Sequence, residues 1–387
     1  MGMEHVEAYR CIDCGEEYEP EGIMYTCPNH EDPMEGLLDV VYDYDAIAED
    51  FDGKADGDIP DLWKYRPFLP IAEDAEPVTL GEGGTDLIAA PRLSEDIGVE
   101  ISVKDDSRNP TASFKDRATT VSVTKAKHHD HDVVTCSSTG NAAASIAAYA
   151  ARGNLDCSLF VPERLPEAKA IQPRVYGADL ITVEGSYSDA YEACREHGVE
   201  SEDTDRSAGT NPYVPAGTQT LGFELAEQAA SPDWIAISMG NGGTIADLWQ
   251  GWRLFERLGY TDGSPQLLGV QAETAATIQD VSGNETETGD TCADSIDVDE
   301  PHRKADAREA IADSGGTAVA VSDESIHESL RLLGSNEGVF AEPASAAAVA
   351  GVQRARQQGT IDAGERVVAV ITGNGLKDTA TAARTLE

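Results

Sequence analysis

From residue 98 onward, short apolar runs rich in β-branched residues alternate with longer stretches of helical periodicity. The strand-like runs are 101–104, 133–136, 157–161, 180–183, 234–239, 267–271, 319–321 and 366–371. The helix-like stretches are 116–129, 141–152, 167–176, 188–197, 218–229, 244–258, 325–333 and 344–357. A strand covered on both faces reads as a continuous apolar run, and parallel strands need crossover helices to supply that cover. The alternation therefore predicts an α/β chain built on parallel sheets, with no internal repeat.

Composition narrows the class further. At 387 residues the chain has room for two or three domains with real cores. Lys and Arg total 28 against 71 Asp and Glu, a net charge of −43. Such a surface repels nucleic acid and anionic membranes, so neither is an expected partner. With 40% hydrophobic residues and acids spread along the whole chain, the sequence is folded rather than an acidic disordered segment. An acidic, lysine-poor surface suits a salt-rich cytoplasm such as that of a halophilic archaeon. The N-terminus carries Glu4 and His5 and no apolar signal region, and no run approaches a membrane span, so the expected location is cytoplasmic.

Seven cysteines, an odd number, do not form a disulfide framework here, and three of them fall before residue 30. Cys11 and Cys14 form one x2-spaced pair, and Cys27 and His30 a second, separated by twelve residues. Two such knuckles can face one tetrahedral ion, and four protein ligands leave no open position, which makes a zinc there structural. Strand-like flanks at 7–10, 17–18, 24–26 and 38–41 mark residues 1–45 as a small zinc-ribbon-like unit; the alternative is a ribbon that folds without metal. Residues 46–80 read as helical and then loop-like, and the glycine turn at 81–85 reads as a loop with positive φ. Residues 280–304 are polar and acidic, an exposed insertion whose tail, His302, Arg303 and Lys304, is expected near the rim of the site.

Three strands run into Gly-Asn turns: 133–136 into Ser137–Asn141, 234–239 into Gly240–Thr244, and 366–371 into Thr372–Gly375. In parallel α/β sheets, ligands sit outside the carboxyl ends of strands. Gly240, Asn241, Gly242, Gly243 and Thr244 open a helix, and free backbone N–H groups at such an end suit a phosphate dianion without Lys or Arg. A dinucleotide fingerprint needs different glycine spacing and is set aside. Asn141 also reads as a helix N-cap. Upstream, the polar run from Asn109 to Arg117 delivers Lys115 to the mouth of a helix, where the macrodipole disfavours its charge. An imine-forming amine needs such a depressed pKa; a surface lysine that happens to begin a helix is the plainer alternative.

The run Ser113, Phe114, Lys115, Asp116, Arg117 resembles the lysine motif of the pyridoxal-phosphate enzymes of fold-type II, the tryptophan synthase β-like family. Within it the chain resembles the threonine synthases, through the N-terminal cysteines, Trp63 to Leu69, Gly81 to Thr85, and Thr372 through Lys377 and Asp378. The resemblance implies two parallel-sheet domains after the ribbon: a large one from 46–121 and 206–387, and a smaller mobile one from 122–205. It implies that Lys115 carries pyridoxal phosphate and moves protons, and that Asn141 binds the ring hydroxyl oxygen. The Gly240–Thr244 turn would hold the phosphate, and Thr372 the pyridine nitrogen. Ser138 and Thr139 would hold the α-carboxylate of a small amino-acid substrate. A homodimer is implied as well. The expected reaction converts O-phosphohomoserine and water to threonine and phosphate.

Four positions depart from the family pattern. Asp86 replaces a proline and His30 a cysteine. Ala142 and Val214 replace a threonine and an arginine near the substrate phosphate, where Arg108, Lys169 or Arg174 are the remaining cations. These losses keep open a cysteate synthase-like paralogue, a serine/threonine dehydratase and, more remotely, a non-catalytic acidic binding protein.

Overall fold

The computed structural model describes residues 5–30, 36–51, 62–201, 203–205, 207, 211–278 and 289–385. The first five strands are β1 (Val6–Cys11), β2 (Glu17–Tyr18), β3 (Leu38–Tyr42), β4 (Leu87–Ala89) and β5 (Glu100–Asp105). Then follow β6 (Val133–Ser137), β7 (Asp156–Pro162), β8 (Asp179–Val183) and β9 (Thr204–Asp205). The last four are β10 (Trp234–Ser238), β11 (Gln266–Ala272), β12 (Thr317–Val321) and β13 (Arg366–Ile371). The chain divides into two compact units, Met1–Gly84 with Lys115–Thr220, and Thr85–Phe114 with Leu221–Glu387. This grouping differs from the expected bounds, because residues 46–84, 115–121 and 206–220 fall with the first unit.

The first unit holds two sheets. One is antiparallel, ordered β2-β1-β3, and comes from the cysteine-bearing N-terminus. The expected strand at 24–26 is reduced to a single bridge, Thr26 to Leu37. The other sheet is fully parallel, ordered β8-β7-β6-β9. Its apolar strands β6 and β7 bury Val134, Cys136, Leu159 and Val161 against the alanine-rich helix Asn141–Gly153. Alanine has the highest helix propensity, and its small side chain lets this helix lie close to its neighbours.

The second unit holds a six-stranded sheet, β12-β11-β10-β13-β5-β4, parallel except for the antiparallel edge strand β4. The helix Pro343–Gln358 covers it with Ala346, Ala347, Val349, Ala350 and Val352, all buried. That contact is close enough that a Cβ on Gly351 would stand 2.2 Å from Val270. The expected helix over 218–229 is Thr220–Gln228, which starts at the unit boundary, and a further helix, Tyr213–Thr218, precedes it in the first unit. The expected insertion at 280–304 lies outside the described residues over 279–288. Its remainder is not simply exposed, since Ala293 and Ile296 are buried and Lys304 opens the helix Lys304–Asp313. No described helix is long and apolar enough to cross a membrane.

Candidate active site

In the first unit, Lys115 is the first residue of the helix Lys115–His128 and is half-buried. The turn before it holds Ala112 at φ 69°, a left-handed conformation that costs a non-glycine residue about 1–2 kcal/mol. Asn141 opens its own helix, and the N-cap position belongs to Gly140, so Asn141 does not cap. Ser138 and Thr139 are half-buried in the turn ahead of it, where the Gly140 N–H donates to Ser138 Oγ at 3.2 Å. The two helices are joined from inside. Ser145 Oγ donates to buried Asp116 Oδ1 at 2.6 Å and lies 2.8 Å from Thr119 Oγ1. On the far side, Gly217 comes so near the same helix that a Cβ would stand 2.2 Å from the Arg117 carbonyl.

The glycine turn of this unit is locked by a residue the sequence did not single out. Glu82, fully buried, accepts from Trp63 Nε1 (2.9 Å), Tyr149 OH (2.7 Å), Thr79 Oγ1 (3.1 Å) and the Leu80 N–H (3.0 Å). Tyr149 lies on the Asn141 helix, so the turn and that helix share one carboxylate.

In the second unit, β10 and β13 are parallel neighbours, and both carboxyl ends carry predicted site residues. After β10, Gly242 adopts φ 89° as the N-cap of the helix Gly243–Arg257, and no side chain caps that end. Glycine at this N-cap has no side chain to cap the first N–H groups of the helix, and the dipole there favours an anion. Asn241 turns to the segment at 302–303 instead, its Oδ1 accepting from the His302 N–H at 3.4 Å and its carbonyl from the Arg303 N–H at 3.0 Å. After β13, buried Thr372 shares a 2.9 Å hydrogen bond between its Oγ1 and Ser345 Oγ. Ser345 also accepts from the Gly373 N–H at 2.9 Å. The Phe114 N–H donates to the Thr372 carbonyl at 2.9 Å, and the residue after Phe114 is Lys115.

The cations named for the substrate phosphate are placed as follows. Arg108 is paired with Asp105 (2.9 Å) and Asp86 (3.1 Å). Lys169 and Arg174 lie on the helix Glu167–Val175, half-buried and exposed respectively. Ala142 is buried in the apolar core of the first unit.

The ligand atoms of Cys11, Cys14, Cys27 and His30 all lie within 4.8 Å of one another. Cys14 Sγ is 3.8 Å from Cys27 Sγ, and Cys11 Sγ is 3.5 Å from His30 Nε2. A tetrahedral zinc with bonds of about 2.3 Å to sulfur sets its sulfurs about 3.8 Å apart, so the quartet fits the ion. Tyr18 OH lies 2.9 Å from Cys27 Sγ, a second contact of the kind that orients a ligand.

The donor set also fits a pyridoxal phosphate. The first unit offers a primary amine at a helix mouth; the second offers a glycine turn at a helix N-terminus for a phosphate and a buried neutral hydroxyl at a strand end. Two steps before Lys115, Ser113 Oγ is fully buried and has no hydrogen-bond partner among the described residues. Ser345, Glu82 and Ser145 were missed because each acts through a partner distant in sequence, and no local pattern marks them.

Residues 78–373 match the family described as pyridoxal-phosphate dependent enzyme. Over 98% of its length the chain is 37% identical to a threonine synthase of Methanocaldococcus jannaschii, covering 95% of that protein. It is 39% identical to a threonine synthase of Methanosarcina acetivorans over 95% of the chain and 92% of the relative. A threonine synthase of Bacillus sp. is 42% identical over 82% of the chain and 90% of the relative. Among solved structures, a threonine deaminase isoform of Solanum lycopersicum aligns with TM-score 0.67 at 20% identity, covering 96% of this chain and 98% of that one. The serine racemase of maize aligns with TM-score 0.66 at 18% identity, covering 78% and 91%. At these identities the structures speak for the shared fold.

Proposed function

Since the chain belongs to the pyridoxal-phosphate-dependent enzyme family, we propose that it is a threonine synthase, converting O-phosphohomoserine and water to threonine and phosphate. The observation that carries this reading is the near full-length similarity to two archaeal threonine synthases, over 95–98% of the chain. Bound, the cofactor supplies an electron sink for carbanions formed beside the substrate nitrogen. In this reading the Lys115 amine would hold the cofactor and, when free, would remove and return protons at the substrate carbons. The N–H groups of the Gly240–Thr244 turn would hold the cofactor phosphate, a reading supported by the positive φ of Gly242 at the helix N-cap. Thr372 offers its hydroxyl to the pyridine nitrogen, and a neutral partner there leaves the ring a weaker sink than a carboxylate would. Asn141 donates its amide to the ring hydroxyl oxygen. Ser138 and Thr139, with the N–H groups of their turn, hold the substrate α-carboxylate.

The enzyme acts in this reading on a small amino-acid substrate, as a cytoplasmic homodimer without nucleic-acid or membrane partners, and with a mobile smaller domain. We infer a structural zinc on Cys11, Cys14, Cys27 and His30, supported by the spacing of their ligand atoms. Metal analysis of the purified protein giving one zinc per chain is the expected result.

The deciding assay supplies O-phosphohomoserine and threonine in parallel and measures phosphate and ammonia. Phosphate release is expected. Ammonia release from threonine without phosphate release would make the protein a dehydratase, one of the readings that Ala142 and Val214 keep open. Lys115→Ala is expected to abolish turnover and the visible absorbance of the tethered cofactor together. A variant that keeps both would remove Lys115 from the chemistry.

A further inference from the structure

The segment that follows the acidic insertion lies directly on the Gly240–Thr244 turn. A Cβ on Gly242 would stand 2.6 Å from the Arg303 carbonyl and 2.9 Å from Ala307 Cβ. One on Gly240 would stand 3.2 Å from the Ser295 carbonyl, and one on Gly243 3.4 Å from the Arg303 side chain. Main chain meets main chain here, which is why glycine fills these positions even apart from the positive φ of Gly242. Hydrogen bonds from the His302 and Arg303 N–H groups to Asn241 fasten the two stretches.

The Arg303 side chain completes the attachment. Its guanidinium pairs with Asp306, next to it on the Lys304–Asp313 helix, and with Asp247, in the second turn of the helix that the glycine turn opens. Asp247 is 3% exposed at its side chain, so this pair is shielded from solvent and holds its geometry. With a carboxylate on either side, the guanidinium carries no uncompensated charge toward an anion. Its effect on one has to come through the position of the turn.

We propose that Arg303 is a positioning residue: it clamps the 301–307 segment to the first turns of the Gly243–Arg257 helix, so that the N–H groups of the glycine turn are already aimed when a phosphate monoester arrives. This rests on the assignment of that turn to the cofactor phosphate. A turn that must order itself on binding gives up part of the binding free energy, whereas a clamped one does not. The benefit reaches only ligands that carry the phosphate.

The test uses the full chain stripped of cofactor and titrated with pyridoxal phosphate and, separately, with pyridoxal, which lacks the phosphate. Arg303→Met cuts both ion pairs at nearly constant volume. It is expected to weaken pyridoxal phosphate by roughly ten- to a hundredfold, and pyridoxal by less than about threefold. Asp247→Asn, which removes one charge but keeps an acceptor, is expected to move the ratio in the same direction and serves alone if Arg303→Met does not fold. Parallel weakening of both ligands, or an unchanged preference for the phosphorylated one, overturns the clamp. A wild-type protein with no preference for the phosphorylated ligand fails differently, because it refutes the assignment of the turn itself.

Discussion

Two lysines on one helix show how much a residue's surroundings decide. Lys115 stands half-buried at the helix mouth, while Lys125, ten residues on, is 3% exposed. Burial pushes the Lys125 ammonium down to about 7 from 10.5. Its Nζ donates to Tyr9 OH (3.0 Å) and the Pro70 carbonyl (3.3 Å) and lies 4.6 Å from the Tyr213 ring centre. Tyr9 and Tyr213 are titratable groups that face it, and His129, whose own pKa is lowered by burial and then by Lys125, is another. Between pH 7 and 10.5 the unfolded chain holds this proton and the folded one releases it, so stability rises with pH across that window. Below it the burial cost is constant, at most about 4–5 kcal/mol, less what the tyrosine rings return to the cation. Lys125→Met is therefore expected to be less sensitive to pH over this window than the wild type, with its largest relative gain below pH 7. Urea denaturation of both proteins at several pH values checks this, and equal slopes would contradict it. At this scale the sequence made Lys115, Asn141 and the glycine turn legible, because each sits in a local motif. Glu82 and Ser345 were not, because what defines them is a set of donors gathered by the fold.

At the scale of elements, long periodic segments were readable and short ones were not. Strands β10, β11 and β13 fall within a residue of their expected bounds. The edge strand β4, three residues long, gives no periodicity to read. The helix Lys304–Asp313 escaped because it buries only Ala307, Ala310 and Ile311 among its charged residues. The short helix Tyr213–Thr218 escaped because it is six residues long and holds Pro215, which its first turn tolerates because the missing N–H there costs nothing. The N-terminal sheet is small, three strands of which β2 is only two residues long. A metal joining Cys11 and Cys14 to Cys27 and His30 would cross-link both ends of it. Under reducing conditions, a zinc chelator is expected to lower Tm by about 5 °C or more, and Cys27→Ser to do the same without chelator. A purified protein that carries no metal and melts identically with chelator would mean that the ribbon folds on its own contacts.

For the whole molecule, the net charge is far from zero. A net charge of −43 on 387 residues opposes compaction through self-repulsion, and only 28 basic residues are present to offset it. Salt shortens the range of that repulsion from about 10 Å at 0.1 M to about 3 Å at 1 M. Tm and phosphate-releasing activity are both expected to rise between these concentrations, and a flat or falling thermal profile would show that the surface charges are already balanced locally. The division into units was the least legible feature. The chain passes from one unit to the other at Gly84/Thr85, Phe114/Lys115 and Thr220/Leu221, and none of these junctions has the composition of a linker. The last falls inside the helix Thr220–Gln228, after its first residue, and the second at the first residue of a helix, so periodicity gives no warning of either.

The indole that donates to Glu82 is the first unit's only tryptophan, since the other three, Trp234, Trp249 and Trp252, belong to the second. Intrinsic emission of the intact protein is thus weighted toward the second unit. A Trp63→Phe protein would report that unit alone, and the difference spectrum would give the melting of the first separately.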